Sequence, residues 1–177
     1  MMVHEETIGK ILFTEDQIRN RAKELANQIA IDYQGEEVIL LCSLKGGILW
    51  MADLMKEMTI DVKIDFVAAS SYGSGTTSSG VVKITKDVDM DLFNKHVIIV
   101  EDIVDTGTTL KHLRDYLKER NPKDVKICTL LDKPSRRTID LTPDYIGFTV
   151  EDLFIIGYGL DYDQRYRNLP YISYLEG

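Results

Sequence analysis

Short apolar segments alternate along this chain with amphipathic helical segments, and few folds accommodate such an order. Segments 37–42 and 96–100 are almost continuously apolar, which is typical of strands that helices cover on both faces. A helix is predicted after Thr14, which has capping-box spacing with Gln17, and Gly35 is its expected end. This alternation favours right-handed crossovers, so we predict an α/β fold with a mostly parallel central sheet flanked by helices.

The same alternation predicts the remaining elements. Helices are expected at 48–58 and from residue 106 to about 120, and strands at 61–69, from residue 81, and at 125–131, 145–148, 154–158 and 171–174. No internal repeat or linker divides the chain, so we predict a single domain over 1–177. Ligands of such sheets bind beyond the carboxyl ends of the strands, so the residues that follow each strand are the functional candidates.

Charge, hydropathy and cysteine usage narrow the class of protein. Acidic residues outnumber basic ones by 29 to 21, which argues against a nucleic-acid partner but not against anionic small substrates. No apolar run is long enough to cross a bilayer, and the N-terminus has no signal core, so neither a membrane partner nor export is expected. Cys42 and Cys128 lie far apart in apolar segments, so we expect two reduced core thiols and a cytoplasmic location.

The strand at 96–100 leads into an unusual acidic and small-residue segment. Glu101, Asp102 and Asp105 follow the strand, and a turn precedes the next helix. Backbone N–H groups, hydroxyls and a helix N-terminus suit a phosphate dianion, and a glycine lets the backbone close around it. The residues of this turn are Thr106, Gly107, Thr108 and Thr109.

A purely structural interpretation of this segment is also open. Asp105 or Thr106 would then cap the following helix, and Glu101 and Asp102 would be solvated loop acids. The turn contains no lysine and lacks the GxxxxGK[ST] spacing of an ATP-binding loop, so that class of phosphate site is not predicted.

Several motifs, in this order along the chain, resemble one enzyme family. Segment 97–109, VIIVEDIVDTGTT, resembles the phosphoribosyl pyrophosphate (PRPP) signature of the type I phosphoribosyltransferases, most closely the bacterial type that acts on hypoxanthine and guanine. Its other matching segments are the pyrophosphate loop at 43–47, the base-recognition segment at 131–133, and the hood at 154–162 and 167–169. The resemblance implies a Rossmann-like sheet, a small hood of terminal segments including about 150–177, and a mobile lid at about 70–80.

The resemblance also implies how two phosphate clusters are held. The turn 105–109 would bind the 5′-phosphate, and Lys45 with the backbone of Gly46 and Gly47 would bind pyrophosphate. Arg167 would pair with pyrophosphate oxygens, because a planar guanidinium suits them better than an ammonium group. From the residues alone, an ordinary strand-to-helix turn is the alternative for Lys45 and the glycine pair.

A magnesium cofactor follows from the same resemblance. Glu101 and Asp102 would meet the ribose hydroxyls and their Mg²⁺ ion, and Asp161 would hold a second metal through water near pyrophosphate. Mg²⁺ keeps several waters and usually takes one or two carboxylates plus substrate oxygens. An exposed ion pair is the alternative for Asp161 and Arg167.

The remaining implied residues would recognise a 6-oxopurine. Asp105 is the candidate general base for the N7 proton; aspartate is a weak base at pH 7, which favours a hydrogen bond to N7–H over full proton transfer. Lys133 would donate to the 6-oxo group and reject adenine, unless it is a solvated loop lysine. Phe154 would stack on the base, unless its ring is part of the hydrophobic core. The backbone carbonyls of Ile155 and Asp161 would accept hydrogen bonds from the guanine 2-amino group.

The implied function is purine salvage. Hypoxanthine or guanine would react with PRPP to give IMP or GMP and pyrophosphate, while Ser71 and Tyr72 belong to a lid that excludes water. A merely flexible hairpin tip is the alternative for that lid. A transferase that prefers xanthine and an RNA-binding regulator that has kept this fold are the alternative functions; the acidic excess counts against the regulator. The family implies a homodimer or homotetramer.

Overall fold

A six-stranded sheet forms the centre of the molecule. The structure, a computed structural model, describes residues 7–71 and 82–177. In chain order its elements are β1 (Thr7–Ile8), α1 (Glu15–Tyr33), β2 (Val38–Ser43), α2 (Ile48–Glu57), β3 (Val62–Ser71), β4 (Val82–Lys86), β5 (His96–Val104), α3 (Thr108–Lys118), β6 (Asp124–Asp132), a 3₁₀ turn (Pro134–Arg136), β7 (Tyr145–Thr149), β8 (Ile155–Ile156) and β9 (Ser173–Glu176). The central strand order is β4-β3-β2-β5-β6-β7, and only the β3–β4 pair is antiparallel.

The direction in which strands are added reverses between β2 and β5. The chain crosses from β2 through α2 to β3 on one side, whereas β5 lies on the other side of β2 and leads through α3 to β6. Ligands of open parallel sheets bind at such a reversal, beyond the carboxyl ends of the strands. Here those ends are Ser43 and Val104, so the two turns that follow them meet at one crevice.

Side chains of the central strands alternate between two buried layers. Leu40 and Ile98 belong to the core cluster that contains the buried residues of α1 and α2. Leu41 and Ile99 belong to the cluster on the other face, together with Leu113 of α3. Because both faces are buried, these strands are apolar at consecutive positions. The predicted mostly parallel sheet between helices is confirmed.

A second, small sheet is built from both ends of the chain. Its antiparallel strands lie in the order β1-β9-β8. The ring of Phe13 stacks on Phe148 of β7, with ring centroids 4.0 Å apart, and this contact joins the N-terminal segment to the central sheet. The predicted hood of terminal segments is confirmed as part of the fold, and β1 is a strand that the sequence pattern did not predict.

The first helix begins and ends at predicted signals. The Thr14 hydroxyl accepts from the backbone N–H of Gln17, and the Gln17 side-chain oxygen accepts from the backbone N–H of Thr14 at 2.8 Å. Gln34 and Gly35 then adopt left-handed conformations, with φ of 48° and 83°, and end the helix.

Strand β5 is longer than its apolar run suggested. The run ends at Val100, but pairing with β6 continues to Val104, opposite Asp132. Glu101 and Asp102 therefore lie within a strand rather than in a loop after it. Acidic residues are depleted in strands, and tertiary pairing overrides that preference here.

Several other element ends also differ from the prediction by one or more residues. Helix α3 begins at Thr108 rather than at 106, because Gly107 precedes it with φ of 87°. Strand β8 stops after Ile156 because Gly157 turns the chain with φ of 93°. Strand β9 begins at Ser173, two residues later than predicted.

Burial decides the state of the two cysteines. Both thiols are free and buried, and burial raises the pKa of Cys42 and of Cys128 to about 12. They are core thiols, as predicted. Among the helices in the two described ranges, none combines the length and hydropathy needed to cross a membrane. The single-domain assignment stays a prediction.

Candidate active site

Two adjoining pockets open at the carboxyl edge of the central sheet. The first has a volume of about 340 Å³ and is lined by the β2–α2 turn, the end of β5, the turn after β5 and two hood side chains. The second has a volume of about 230 Å³ and is lined by the end of β6 and by the hood. Both are lined by Asp102, Ile103, Asp105 and Asp161. A ligand with two parts would therefore fill two pockets that meet at these carboxylates.

The turn after β5 presents backbone N–H groups to the first pocket. Thr106, Gly107 and Thr109 line that pocket, whereas Thr108 lies at the start of α3 outside the lining. Within the described residues, the N–H groups of Thr106 and Gly107 have no acceptor. The N-cap residue of α3 is Gly107, and Asp105 does not cap the helix; the Thr106 hydroxyl accepts from the N–H of Thr108, the first helical residue, at 3.5 Å. The arrangement is suited to an anion.

Two adjacent carboxylates lie at the end of β5, beside β2. The Ser43 side chain lies beside the Glu101 carboxylate and favours its charged form, and the backbone N–H of Asp102 donates to Glu101 Oε1 at 3.2 Å. Burial, and next the negative charge of Asp102, raise the pKa of Glu101 well above its usual range. Asp102 Oδ1 accepts from the N–H of Ile103 at 2.7 Å. The raised pKa biases Glu101 toward its neutral form, and a cation bound at the pair would favour its charged form.

The β2–α2 turn closes against this carboxylate pair. The peptide bond between Leu44 and Lys45 is cis. A Cβ on Gly46 would overlap the Asp102 carboxylate, and a Cβ on Gly159 in the hood would overlap the Gly46 carbonyl. Glycine at position 46 is therefore required by its close approach to Asp102, and glycine at position 159 by its close approach to this turn.

A cluster of hood side chains faces Lys45 across the first pocket. Arg167 Nη2 lies 3.0 Å from Asp161 Oδ1, and both side chains are about a quarter exposed. Arg167 Nη1 donates to the Gly159 carbonyl at 2.7 Å. The Gln164 side-chain oxygen accepts from both Lys45 Nζ and Arg167 Nη2, each at 3.2 Å. The ion pair that the sequence left as an alternative does form, and it lies in the wall of the pocket.

Lys133 is buried at the base of the second pocket. Only 6% of the residue is exposed, so it is not a solvated loop lysine. Its ammonium donates to the Leu153 carbonyl at 2.8 Å and lies 3.6 Å from the Asp152 carboxylate. An ammonium carries three protons, which leaves donor capacity for a ligand in the pocket.

The hood supplies an aromatic ring and a free backbone edge. Phe154 is 53% exposed and packs edge-on against Tyr162, with centroids 5.4 Å apart, so it is not a core aromatic. The Phe154 carbonyl accepts from the backbone N–H of Leu175, so these two residues form a hydrogen-bonded pair of the antiparallel ladder. The next pair, Ile155 opposite Tyr174, is therefore a non-hydrogen-bonded pair. The N–H and C=O of Ile155 therefore point away from β9. Ile155 lines the second pocket.

The Asp105 side chain lies where the two pockets meet. Its Oδ1 accepts from Arg136 Nε at 3.2 Å, and Arg136 also lies 3.8 Å from Asp152. Both partners in the first contact are about half exposed, so this contact contributes little to stability. A ligand in the second pocket would meet this carboxylate directly.

Some predicted site residues lie outside the pockets, and some pocket residues were not predicted. Ser71 ends β3 and is exposed, and Tyr72 and the rest of the predicted lid fall outside the described residues. The sequence pattern did not single out Ser43 or Gln164, because each contributes one polar atom through a contact distant in sequence. Gln164 lies three residues from both Asp161 and Arg167, which were predicted site residues, and this spacing is the one feature of the sequence that could have pointed to Gln164.

Comparison with known proteins agrees with this geometry. The model of the phosphoribosyl transferase domain matches residues 11–163. The hypoxanthine-guanine phosphoribosyltransferase of Streptococcus thermophilus is 49% identical over 97% of this chain and 96% of its own length. A crystal structure of the hypoxanthine-guanine phosphoribosyltransferase of Bacillus anthracis, with HEPES in its active site, has 48% identity and a TM-score of 0.92 over 96% of this chain and 100% of that one.

A second solved structure gives the same result. The hypoxanthine phosphoribosyltransferase of Staphylococcus aureus has 46% identity and a TM-score of 0.92, covering 96% of this chain and 92% of that one. The similarity therefore covers the central sheet, the acidic end of β5 and the hood together. This chain belongs to the type I phosphoribosyltransferase family, within its hypoxanthine-guanine phosphoribosyltransferase group.

Proposed function

We propose that this protein transfers the phosphoribosyl group of PRPP to N9 of hypoxanthine or guanine and releases pyrophosphate. The observation that carries the proposal is the pair of adjoining pockets, one polar and built around an anion-binding turn, the other built around a buried lysine. Their shared wall at Asp102, Asp105 and Asp161 is where the new glycosidic bond would form. The transition state of such a transfer resembles an oxocarbenium ion.

The first pocket suits both phosphate groups of PRPP. The 5′-phosphate would accept from the free N–H groups of Thr106 and Gly107 at the start of α3. Pyrophosphate would lie between Lys45 and Arg167, both of which donate to the uncharged side-chain oxygen of Gln164 in this structure. Pyrophosphate oxygens would replace that shared oxygen, because a charged acceptor forms stronger hydrogen bonds with both cations.

The donor set at the end of β5 fits Mg²⁺. Glu101 and Asp102 offer hard carboxylate oxygens at the ribose position, and within the described residues no cluster of three or more ligating side chains occurs. Mg²⁺ suits such a site, because it takes one or two carboxylates and completes its shell with substrate oxygens and water. Bound there, it would neutralise charge on the departing pyrophosphate. Asp161 would need to release Arg167 or the Gln164 N–H to contact a second ion, because both its oxygens are engaged.

Removal of divalent metal is expected to abolish transfer. With EDTA in excess, formation of IMP from hypoxanthine should fall to background, because no cation then links the substrate's oxygens to Glu101 and Asp102 or neutralises charge on the departing pyrophosphate. Adding Mg²⁺ beyond the chelator should restore the rate. Full activity in metal-free buffer would contradict this role for the two carboxylates.

The second pocket suits a 6-oxopurine. Lys133 would donate to the 6-oxo group, Phe154 would lie against the base, and the carbonyls of Ile155 and Asp161 would accept from a guanine 2-amino group. Asp105 would accept a hydrogen bond from N7–H as N9 attacks the sugar. Adenine presents a donor where Lys133 also donates, so it should be rejected.

Substitution of Gly46 by alanine is expected to impair PRPP use. The added Cβ would displace the Asp102 carboxylate or the β2–α2 turn, and overpacking of this kind costs ~1–3 kcal/mol. We expect kcat/KM for PRPP to fall about 10- to 100-fold, measured by steady-state kinetics. Gly35→Ala is the control, because no atom lies within 4 Å of its Cβ position and its φ of +83° affects only a helix end. Wild-type kinetics for Gly46→Ala would contradict the close approach.

A homodimer or homotetramer is part of the same proposal. The face of α2 that is turned to solvent carries Ile48, Leu49 and Met55, which are 49%, 36% and 38% exposed, and an oligomer contact would cover them. Light scattering behind size exclusion should give a mass of two or four times 20.2 kDa. A monomer mass at micromolar concentration would contradict this expectation. We place the protein in the cytoplasm, where its two free thiols would stay reduced.

One assay tests the proposed reaction directly. Purified protein with PRPP and Mg²⁺ is given hypoxanthine, guanine, xanthine or adenine in turn, and nucleotide and pyrophosphate are quantified. Hypoxanthine and guanine should be converted and adenine should not. Faster conversion of xanthine than of either would replace the proposed substrates by xanthine, and no conversion of any purine would overturn the proposed function.

A further inference from the structure

One neighbouring segment engages three consecutive carbonyl groups where β5 ends and the anion-binding turn begins. Residues 133–138, which follow β6, donate hydrogen bonds to three consecutive carbonyl oxygens at and after the end of β5. Two of the donors are backbone N–H groups and one is a side chain. The three bonds run from Lys133 N to Val104 O (2.9 Å), from Arg137 Nη1 to Asp105 O (3.1 Å) and from Thr138 N to Thr106 O (3.2 Å).

These bonds decide where the N–H groups of the turn point. The carbonyl of one residue and the N–H of the next share a planar trans peptide and point in opposite directions. The bond from Arg137 to the Asp105 carbonyl therefore turns the Thr106 N–H to the opposite side, and the bond from Thr138 does the same for Gly107. Neither N–H has an acceptor within the described residues, and both residues line the first pocket.

Arg137 is itself held in place from two sides. Its guanidinium pairs with the carboxylate of Asp132, the last residue of β6, and both side chains are mostly buried, at 13% and 7% exposure. Its aliphatic stem packs beside the turn, since a Cβ on Gly107 would lie only 3.1 Å from Arg137 Cδ. A mostly buried guanidinium whose two terminal nitrogens bind different acceptors has little freedom to take another orientation.

We propose that Arg137, fixed by Asp132, is a positioning residue that aims the Thr106 N–H at the 5′-phosphate. The inference rests on the proposed function, because it assumes that the turn binds that phosphate. Of the three bonds to the turn, only this one comes from a side chain, so it alone can be removed without altering the backbone of either segment. Arg137 does not line either pocket and does not touch the substrate in this account.

The test compares two ligands that differ only in the phosphate. Calorimetric titration with GMP and with guanosine is carried out on the wild type, on Arg137→Met and on Asp132→Asn. In both variants the affinity for GMP should fall about 10- to 100-fold, while the affinity for guanosine stays within about twofold. Arg120→Met is the control, because Arg120 also pairs with an aspartate, Asp87, but at the far end of α3. It should leave both affinities unchanged.

Each other outcome has a definite meaning. Equal losses for GMP and guanosine, or unchanged GMP affinity in a folded variant, would overturn the positioning role while leaving the proposed function intact. A wild type that does not prefer GMP to guanosine would overturn the proposed phosphate site and the inference with it. Should Arg137→Met not fold, Asp132→Asn decides the question, because it keeps the shape of the aspartate and removes only its charge.

Discussion

Replacement of Asp105 by asparagine is expected to lower kcat by about 10²- to 10⁴-fold while leaving PRPP affinity nearly unchanged. The Asp105 carboxylate lies in the wall shared by the two pockets, where a purine N7 and the anomeric carbon would both be within reach. The asparagine amide can place its own N–H group against the purine N7–H, where no hydrogen bond can form. Because the amide is uncharged, it also stabilises the positive charge that develops on the purine less well than a carboxylate does. The backbone of the turn, which would bind the phosphate, keeps its hydrogen bonds.

Single-turnover kinetics and PRPP titration separate the two effects. Asp152→Asn is the matched control, because Asp152 also lies near Arg136 and Lys133 but does not line either pocket. It should change kcat by less than about threefold, because the Asp152 side chain is 56% exposed and its contacts with Lys133 and Arg136 are long, at 3.6 and 3.8 Å. Full turnover by Asp105→Asn would remove this carboxylate from the mechanism.

Replacement of Lys133 by methionine is expected to lower kcat/KM for hypoxanthine and guanine by about 100-fold. Methionine has similar length but no donor, so the 6-oxo group would enter a buried pocket without a partner. The same change removes the Lys133 ammonium that would face the 6-amino donor of adenine, so the preference for hypoxanthine over adenine should become smaller as well. Steady-state kinetics with the three purines measures both quantities.

A lysine on the surface provides the control for this substitution. Lys111→Met removes an exposed ion pair with Asp115 on α3 and should leave purine selectivity unchanged. Thermal melting checks stability, because Lys133→Met also leaves the Leu153 carbonyl without its donor. An unchanged hypoxanthine-to-adenine ratio in folded Lys133→Met would contradict the assignment of Lys133 to base recognition.

The parts of the site that lie close together in sequence were predictable from it. The turn from Asp105 to Thr109 is contiguous, and strand alternation was enough to place it at the carboxyl edge of a parallel sheet. The same local signals gave α1, whose capping box involves residues only three positions apart. Such features depend on backbone propensity and periodicity, which a sequence carries directly.

The parts that depend on contacts between distant segments were not predictable. Gln164 accepts from Lys45, 119 positions away, and nothing in a local pattern indicates that contact. Arg137 follows Lys133 by four positions in a polar segment, yet its side chain is only 13% exposed, because it contacts Asp132 and the turn after β5. Tertiary packing determines each of these, not propensity.

The central claim is that the turn after β5 and its neighbouring carboxylates bind a ribose that carries a 5′-phosphate. Calorimetric titration of the wild-type protein with PRPP in the presence of Mg²⁺ tests it most directly. We predict saturable binding with one site per chain, which GMP displaces by competition. The absence of measurable heat and of competition at millimolar PRPP would contradict the account.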